Sequence, residues 1–462
     1  MGSKWKTSFL TDHYIISSGL SKPAKDFGTG YPFLSFKDIF YNYFLPDSLT
    51  QLVQSTDKER ATCSVRRGDV FLTRTSETMH ELGMSSVALK DYADATFNGF
   101  CKRLRPKESS ELEPEYVGYY LRSPIFRQGM LAFSTMSTRA SLNNEMISRL
   151  EISYPDRKTQ KKIANTLLSL DKKIALSRAI NQTLEQMSQT LFKSWFVDFD
   201  PVIDNVLDAG NSIPEALQSR AKLRQKVRNS ADFKPLPADI RALFPAEFEE
   251  TELGWVPKGW ESVTFDSFCD LIQSGGTPSR KETSFWNEGT IKWLSSGEVK
   301  GKIVLDTKEK ITDIGLLNSS AKLWAKYTTV VAMYGATAGE VCLIGDKMTA
   351  NQACCGLYSE KYPFYVYNFV SDKAYELASK ATGSAQQNLN KLIISSTKFT
   401  RPSNAIISIF EDNVAPLFMN WFSNTAENNT LTALRDTLLP KLISGELSLE
   451  DLPDLVTQTE PA

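Results

Sequence analysis

The chain is poor in the side chains that build metal and redox centres. Its 462 residues include only two histidines, His13 and His80, and six cysteines (Cys63, Cys101, Cys269, Cys342, Cys354, Cys355) at irregular spacings with no CxxC. Structural zinc needs four N/S ligands in close, regular groups, so this scarcity argues against a zinc cluster and for buried thiols in a reducing compartment. No run approaches the ~20 consecutive apolar residues of a membrane-spanning helix. The segment Met1–Lys6 has no apolar signal core, and Lys6 stands where a myristoylation motif needs Ser or Thr. These absences together predict a cytoplasmic protein without a membrane partner.

Net charge is also nearly absent, at −1, which taken alone disfavours a nucleic-acid ligand. The average conceals a gradient. Residues 156–235 carry 14 basic and 9 acidic side chains, whereas 403–462 carry 2 and 9. Sharper basic clusters lie at Lys102-Arg103-Leu104-Arg105-Pro106-Lys107 and within 277–326, which holds nine basic and six acidic residues. Clusters of this kind are candidate phosphate contacts or simply solvated surface.

What the chain does have is an internal repeat. At an offset of 247 positions, Thr135, Ser137, Leu142, Asn143, Ile147, Ser148 and Pro155 meet Thr382, Ser384, Leu389, Asn390, Ile394, Ser395 and Pro402. Further on, Leu170, Asn181, Thr183, Leu184, Thr190 and Leu191 meet Leu417, Asn428, Thr430, Leu431, Thr437 and Leu438. Chance identity is about one in eighteen, so the chain is a duplicated unit. Each copy ends in a long helix. Asp156 and Ser403, both good N-cap residues, precede apolar residues at 4,3 spacing: Ile163, Leu167, Leu170, Ile174, Leu184, Leu191, Trp195 in one, and Phe410, Val414, Leu417, Trp421, Leu431, Leu438, Leu442 in the other. This is a heptad seam. It is interrupted at matching places by Ser177/Asn424, Asn181/Asn428 and Ser188/Arg435, which predicts that the two helices pair and that the asparagines set register. The earlier part of each copy is a series of short β-type runs such as Asp69–Thr73 and Thr328–Tyr334, with looser correspondence between copies. Ser17–Pro23 lies against Gln273–Pro278, and Leu34–Ile39 against Leu294–Val299.

Three segments extend the reading. Leu191-Phe192-Lys193-Ser194-Trp195-Phe196-Val197-Asp198-Phe199-Asp200-Pro201-Val202, then Leu243–Trp260 with its Gly254-Trp255-Val256-Pro257-Lys258-Gly259-Trp260 ending, then Leu434–Leu447 with Leu439-Pro440-Lys441-Leu442-Ile443-Ser444-Gly445-Glu446-Leu447, resemble the specificity (S) subunits of type I restriction–modification systems. The resemblance implies an α+β fold with internal duplication: two mixed β-rich target-recognition domains separated by two long helices that form an antiparallel coiled coil. On this chain it implies target-recognition domain 1 at 1–155, helix 1 at 156–200, a connector with one short helix at 201–252, domain 2 at 253–402, helix 2 at 403–447 and an acidic tail at 448–462. It further implies double-stranded DNA as ligand, two methyltransferase (M) subunits and restriction/translocase (R) subunits as partners, and S-adenosylmethionine bound on M rather than here. Two departures stand out: the first recognition domain lacks a Pro-x-Gly-Trp opening like Pro257–Trp260, and has no full counterpart of Tyr334–Gly339.

Motifs for chemistry on this chain are weak. Asp200-Pro201-Val202 lacks the second proline and the aromatic of an adenine-methyltransferase loop, Gly335–Gly339 lacks G-x-G-x-x-G spacing, and no G-x-x-x-x-G-K-[ST] loop occurs. Glu298-Val299-Lys300 matches the Glu-x-Lys of metal-dependent nucleases, but without a paired upstream Asp it reads better as a turn with Lys300 as a phosphate contact. A self-contained methyltransferase or nuclease, and a scaffold that no longer binds DNA, remain the competing readings. The residue types suited to DNA are Arg and Lys for guanine and phosphate, and amides or hydroxyls for adenine and backbone. The candidates are Arg66, Arg67, Arg74, Lys102, Arg103, Arg105 and Arg139 in the first copy, and Arg280, Lys281, Lys300, Lys302, Tyr334, Gly335, Thr337, Ser384, Gln386 and Gln387 in the second; no metal site is expected.

Overall fold

The computed structural model describes residues 5–76, 81–132, 140–380 and 389–450. They divide into two compact units, Met1–Ala175 with Asn429–Ala462, and Leu176–Asn428. Each unit therefore takes part of both long helices.

In the first unit a four-stranded antiparallel sheet runs in the order Tyr14–Ser18, Cys101–Pro106, Val70–Thr73, Ser85–Val87. Beside it lie the three strands Gln51–Val53, Phe27–Leu34 and Thr96–Phe97, and the pair Lys6–Phe9 with Glu151–Tyr154. The second unit repeats this order: Leu271–Ser274, Cys354–Tyr358, Thr329–Ala332, Val341–Ile344, then Glu309–Ile311, Ile291–Leu294, Thr349–Ala350, and the pair Glu261–Thr264 with Lys398–Arg401. It adds one strand, Ile303–Val304, parallel to Val341–Ile344. The central strands Val70–Thr73 and Thr329–Ala332 are buried at every position. Their sequences are accordingly apolar runs without alternation, as both faces are covered.

The long helices are Arg157–Phe192 and Asn404–Ser444. The Asp156 carboxylate accepts the Thr159 N–H at 3.1 Å and caps the first of them. Burial follows the heptad along the first helix, and Ser177, Asn181 and Ser188 are buried within it. The polar interruptions thus occupy the seam itself. In the second unit Asn424 Nδ2 donates to Asn181 Oδ1 at 2.9 Å, and the Phe192 and Phe410 rings lie 5.9 Å apart, so the helices run antiparallel there. In the first unit Ile163 and Leu167 share a core with Leu439 and Leu442, and Arg435 meets the Asp171 carboxylate at 2.8 Å. The Tyr119 hydroxyl donates to the same carboxylate at 2.6 Å.

The stretch expected to be a connector with one short helix is more ordered than that. It forms helices at Asp200–Ala209, Gln218–Arg228 and Ala238–Arg241. Asp200, Asp204 and Asp208 pair with Arg220, Arg224 and Arg228, and Arg241 also reaches Asp208. The charge of this stretch is consumed by the ladder, because each pair is twenty residues apart at one-turn steps. A π-helical turn at Lys193–Val197 precedes it and sets Trp195 against Phe244, ring centres 5.2 Å apart. All six cysteines are free thiols; burial pushes Cys101, Cys354 and Cys355 up to about 12.

Candidate nucleic-acid interface

The same backbone arrangement occurs at one end of the central strand in each unit. In the first, the strand Val70–Thr73 runs into Arg74, whose N–H donates to the Phe100 carbonyl at 2.8 Å. The Arg74 carbonyl accepts the Leu142 N–H at 2.7 Å. In the second, the Met333 N–H donates to the Ala353 carbonyl at 2.7 Å, and the Met333 carbonyl accepts the Leu389 N–H at 2.8 Å. The adjoining turn is also shared: Asn98 Oδ1 accepts the Phe100 N–H at 2.8 Å, and Asn351 Oδ1 accepts the Ala353 N–H at 3.1 Å. Glycine is required beside that turn. A Cβ on Gly19 would lie 2.3 Å from the Asn98 carbonyl oxygen, and one on Gly275 would lie 2.2 Å from that of Asn351. Arg74 thus corresponds to Met333 and Phe100 to Ala353. Arg139, Ser384, Gln386 and Gln387, which precede Leu142 and Leu389 in the chain, lie outside the described residues. Asn143 and Asn390, next along the chain, cap short helices through the Met146 and Ile393 N–H groups at 2.8 and 2.9 Å. Their role is structural.

What this rim presents differs between the units. In the first, Arg74 is exposed and its guanidinium has no partner among the described residues, while the Phe100 ring is 63% exposed. In the second, Tyr334 is 41% exposed and Gly335 takes a left-handed φ of 68°. Thr337 Oγ1 donates back to the Tyr334 carbonyl at 3.2 Å and closes this turn. Lys281 and Lys300 are exposed without an ion pair among the described residues, as is Arg66 in the first unit.

The other basic candidates are committed elsewhere. Arg67 pairs with Glu115 at 2.6 Å, and Lys302 with Glu185 at 3.7 Å. Arg280 pairs with Glu309 and stacks 3.7 Å over the Trp286 ring. The run Lys102-Arg103-Leu104-Arg105 is not the solvated cluster its sequence suggested. It is the strand beside the central one, Lys102 and Arg103 are buried, and Arg103 donates to the Ser64 carbonyl at 2.6 Å. Arg105 forms a two-point contact with the fully buried Asp69, at 2.6 and 2.8 Å. Charge density along the sequence carries no information about which face of a strand each side chain takes, and here both faces are covered. Lys102 Nζ donates to Ser18 Oγ at 2.9 Å, and burial with the nearby Arg74 lowers its pKa.

Glu298 has a structural partner set. It accepts from the Ser295 N–H at 3.0 Å and the Lys308 N–H at 2.9 Å. Asp38 does the same for Ser35 in the first unit, at 2.9 Å. No group of acidic, histidine or cysteine side chains suited to a metal occurs among the described residues. Sequence reading missed Phe100. The Asn98-Gly99 turn before it was a usable signal, but its equivalence to Ala353 shows only in the backbone register.

A sequence profile for the type I restriction modification DNA specificity domain matches residues 2–186 and 257–412. Among curated proteins, the chain is 27% identical to the type I restriction enzyme HindI specificity subunit of Haemophilus influenzae, over 96% of this chain and 100% of that one. It is 24% identical to the MjaIX specificity subunit of Methanocaldococcus jannaschii, over 97% and 94%. Among solved structures, an S subunit of a type I restriction-modification system from M. genitalium superposes with a TM-score of 0.55 at 13% identity, over 95% and 96% of the two chains. That likeness concerns the fold alone.

Proposed function

The chain belongs to the type I restriction modification DNA specificity family and is a specificity subunit, not a catalytic one; from that premise we propose that each of its β-rich bodies reads one half of a two-part, asymmetric DNA site. The observation that carries this reading is the repeated rim, one backbone framework bearing Arg74 and Phe100 in one copy and Met333, Tyr334 and Ala353 in the other. Equal frameworks with unequal side chains suit two similar but non-identical half-sites.

The long helices, in this proposal, dock two M subunits, with R subunits joining that core for restriction. A groove of about 580 Å³ in the second unit supports it, lined by Thr183, Met187, Leu191, Asn413 and Leu417. Leu176, Ile180 and Met187 are exposed on the outward face of the first helix, a row of apolar side chains that its paired helix leaves uncovered. S-adenosylmethionine belongs on M, since this sequence has no glycine-rich loop of the required spacing to hold it. The function is then to place the M active site over an adenine, and the reader's work is selection of the sequence around it. Methylome sequencing of a host carrying this chain with its M partner tests the proposal. The expected motif has two short specific blocks around an unspecified spacer, methylated at adenine N6. A continuous or palindromic motif refutes it, as does micromolar binding of S-adenosylmethionine by the isolated chain.

A further inference from the structure

We propose that Arg74 and Phe100 are the base-reading pair of the first unit, Arg74 for the major-groove edge of a guanine and Phe100 for the C5 methyl of a thymine. The inference rests on the reading of this chain as a DNA-recognition subunit and names the bases that one body selects.

Three observations carry it. First, the Arg74 guanidinium is exposed and has no partner among the described residues, whereas Arg67, Arg103, Arg105, Arg122 and Arg149 of the same unit are each engaged by protein oxygens. A free guanidinium offers paired donors that match guanine O6 and N7. Second, the backbone that carries both residues is held at fixed points. Arg74 N–H to Phe100 carbonyl and Leu142 N–H to Arg74 carbonyl lock the strand end, and Asn98 locks the turn. The Phe100 ring is 63% exposed beside that fixed turn and so is open to a ligand. A thymine methyl is such an apolar contact. Third, neither Arg74 nor Lys102 has an ion pair among the described residues. Lys102 lies close enough to Arg74 for repulsion to lower its pKa further, and its ammonium is held by the neutral Ser18 hydroxyl instead of a carboxylate. Of the two, the exposed Arg74 is the one that can meet a ligand of opposite charge. The second unit has Met333 and Ala353 at these positions, neither of which can donate to guanine.

The test uses the complex reconstituted with its M partner and duplexes bearing its methylated motif. Each guanine of the first block is replaced in turn by 7-deazaguanine, which lacks the N7 acceptor, and each thymine by uracil, which lacks the methyl. One 7-deazaguanine should weaken wild-type binding roughly ten-fold or more. Arg74→Ala should bind the normal and substituted duplexes equally, and Phe100→Ala should lose the thymine-over-uracil preference at one position while keeping that for guanine. Arg74→Gln and unchanged melting temperatures guard against misfolding. The inference is overturned by a first block without guanine, or by a 7-deaza penalty that survives in Arg74→Ala. It is also overturned by an Arg74→Ala loss that is equal on all sequences with a shallower salt dependence, which marks a phosphate contact. A wild-type complex that binds all sequences alike overturns the DNA-recognition reading as well.

Discussion

Glu411 sits on the second long helix with its carboxylate buried. Its two oxygens accept the Phe364 and Tyr365 N–H groups at 2.9 Å each, at the start of the helix Pro363–Lys380. Burial pushes its pKa from 4.5 up to about 7, against the opposing pull of the two amides. The folded chain therefore binds this proton more tightly than the unfolded chain does. Stability is fully present below about 4.5 and is lost as pH rises through about 7, by about 3 kcal/mol in total. Glu411→Gln mimics the protonated side chain and removes the dependence. Its Nε2 cannot accept one of the two N–H groups, so it should be about 1–3 kcal/mol less stable than the wild type at the acid end and match or exceed it above pH 7. The assay is amide hydrogen exchange of residues 363–370, corrected for intrinsic rates, because the chain has two units and global unfolding would mix them. Parallel pH curves for wild type and variant would refute the reasoning, as would a variant less stable at the alkaline end.

Other expectations follow from the contacts. Arg435→Met leaves Asp171 without its cation and should cost the first unit about 2 kcal/mol, while Asp171→Asn added to it, which drops the charge and keeps an acceptor for the Tyr119 hydroxyl, should recover most of that; denaturant midpoints of the full chain report both. Arg105→Ala removes the partner of the buried Asp69 and should lower the melting temperature by several degrees without changing the salt dependence of DNA binding. Lys300→Gln should instead reduce the slope of log affinity against log salt by about one. Replacing residues 253–402 with the equivalent region of another specificity subunit should change one block of the methylated motif and leave the other as it was.

The helices were the most legible part of the sequence because a heptad has a period, and a period survives substitution. Ser177, Asn181, Ser188 and Asn428 are buried at seam positions that apolar spacing predicts. The β-rich parts were harder to match, since strands of four to six residues in sheets covered on both faces carry little pattern. Charge was the poorest guide. Lys102, Arg103 and Arg105 occur as a dense basic run, yet two of them are buried and the third is tied to Asp69, because strand register decides which way each points. Arg220, Arg224 and Arg228, in the stretch expected to be a connector, form a ladder whose acidic partners stand twenty residues earlier.

The duplication explains how two copies of one β-rich body can diverge without losing their fold. What the copies share is backbone geometry at tight points: Gly19 and Gly275 against a carbonyl that admits no Cβ, Asn98 and Asn351 closing one turn, Asn143 and Asn390 capping one helix. Each of these positions is constrained by sterics or by a hydrogen bond that only one or two residue types can make. The neighbouring positions Arg74, Phe100, Met333 and Ala353 contribute only main-chain N–H and carbonyl groups to the rim's fixed hydrogen bonds. The exposed side chains of Arg74 and Phe100 are free of that constraint, whereas Met333 is buried in the core of its unit. In the proposed reading, base selection falls at exposed positions one turn or strand end away from residues that cannot change. On that proposal an asymmetric site is expected, since two copies of one framework drift in the side chains they present while the turn chemistry stays the same.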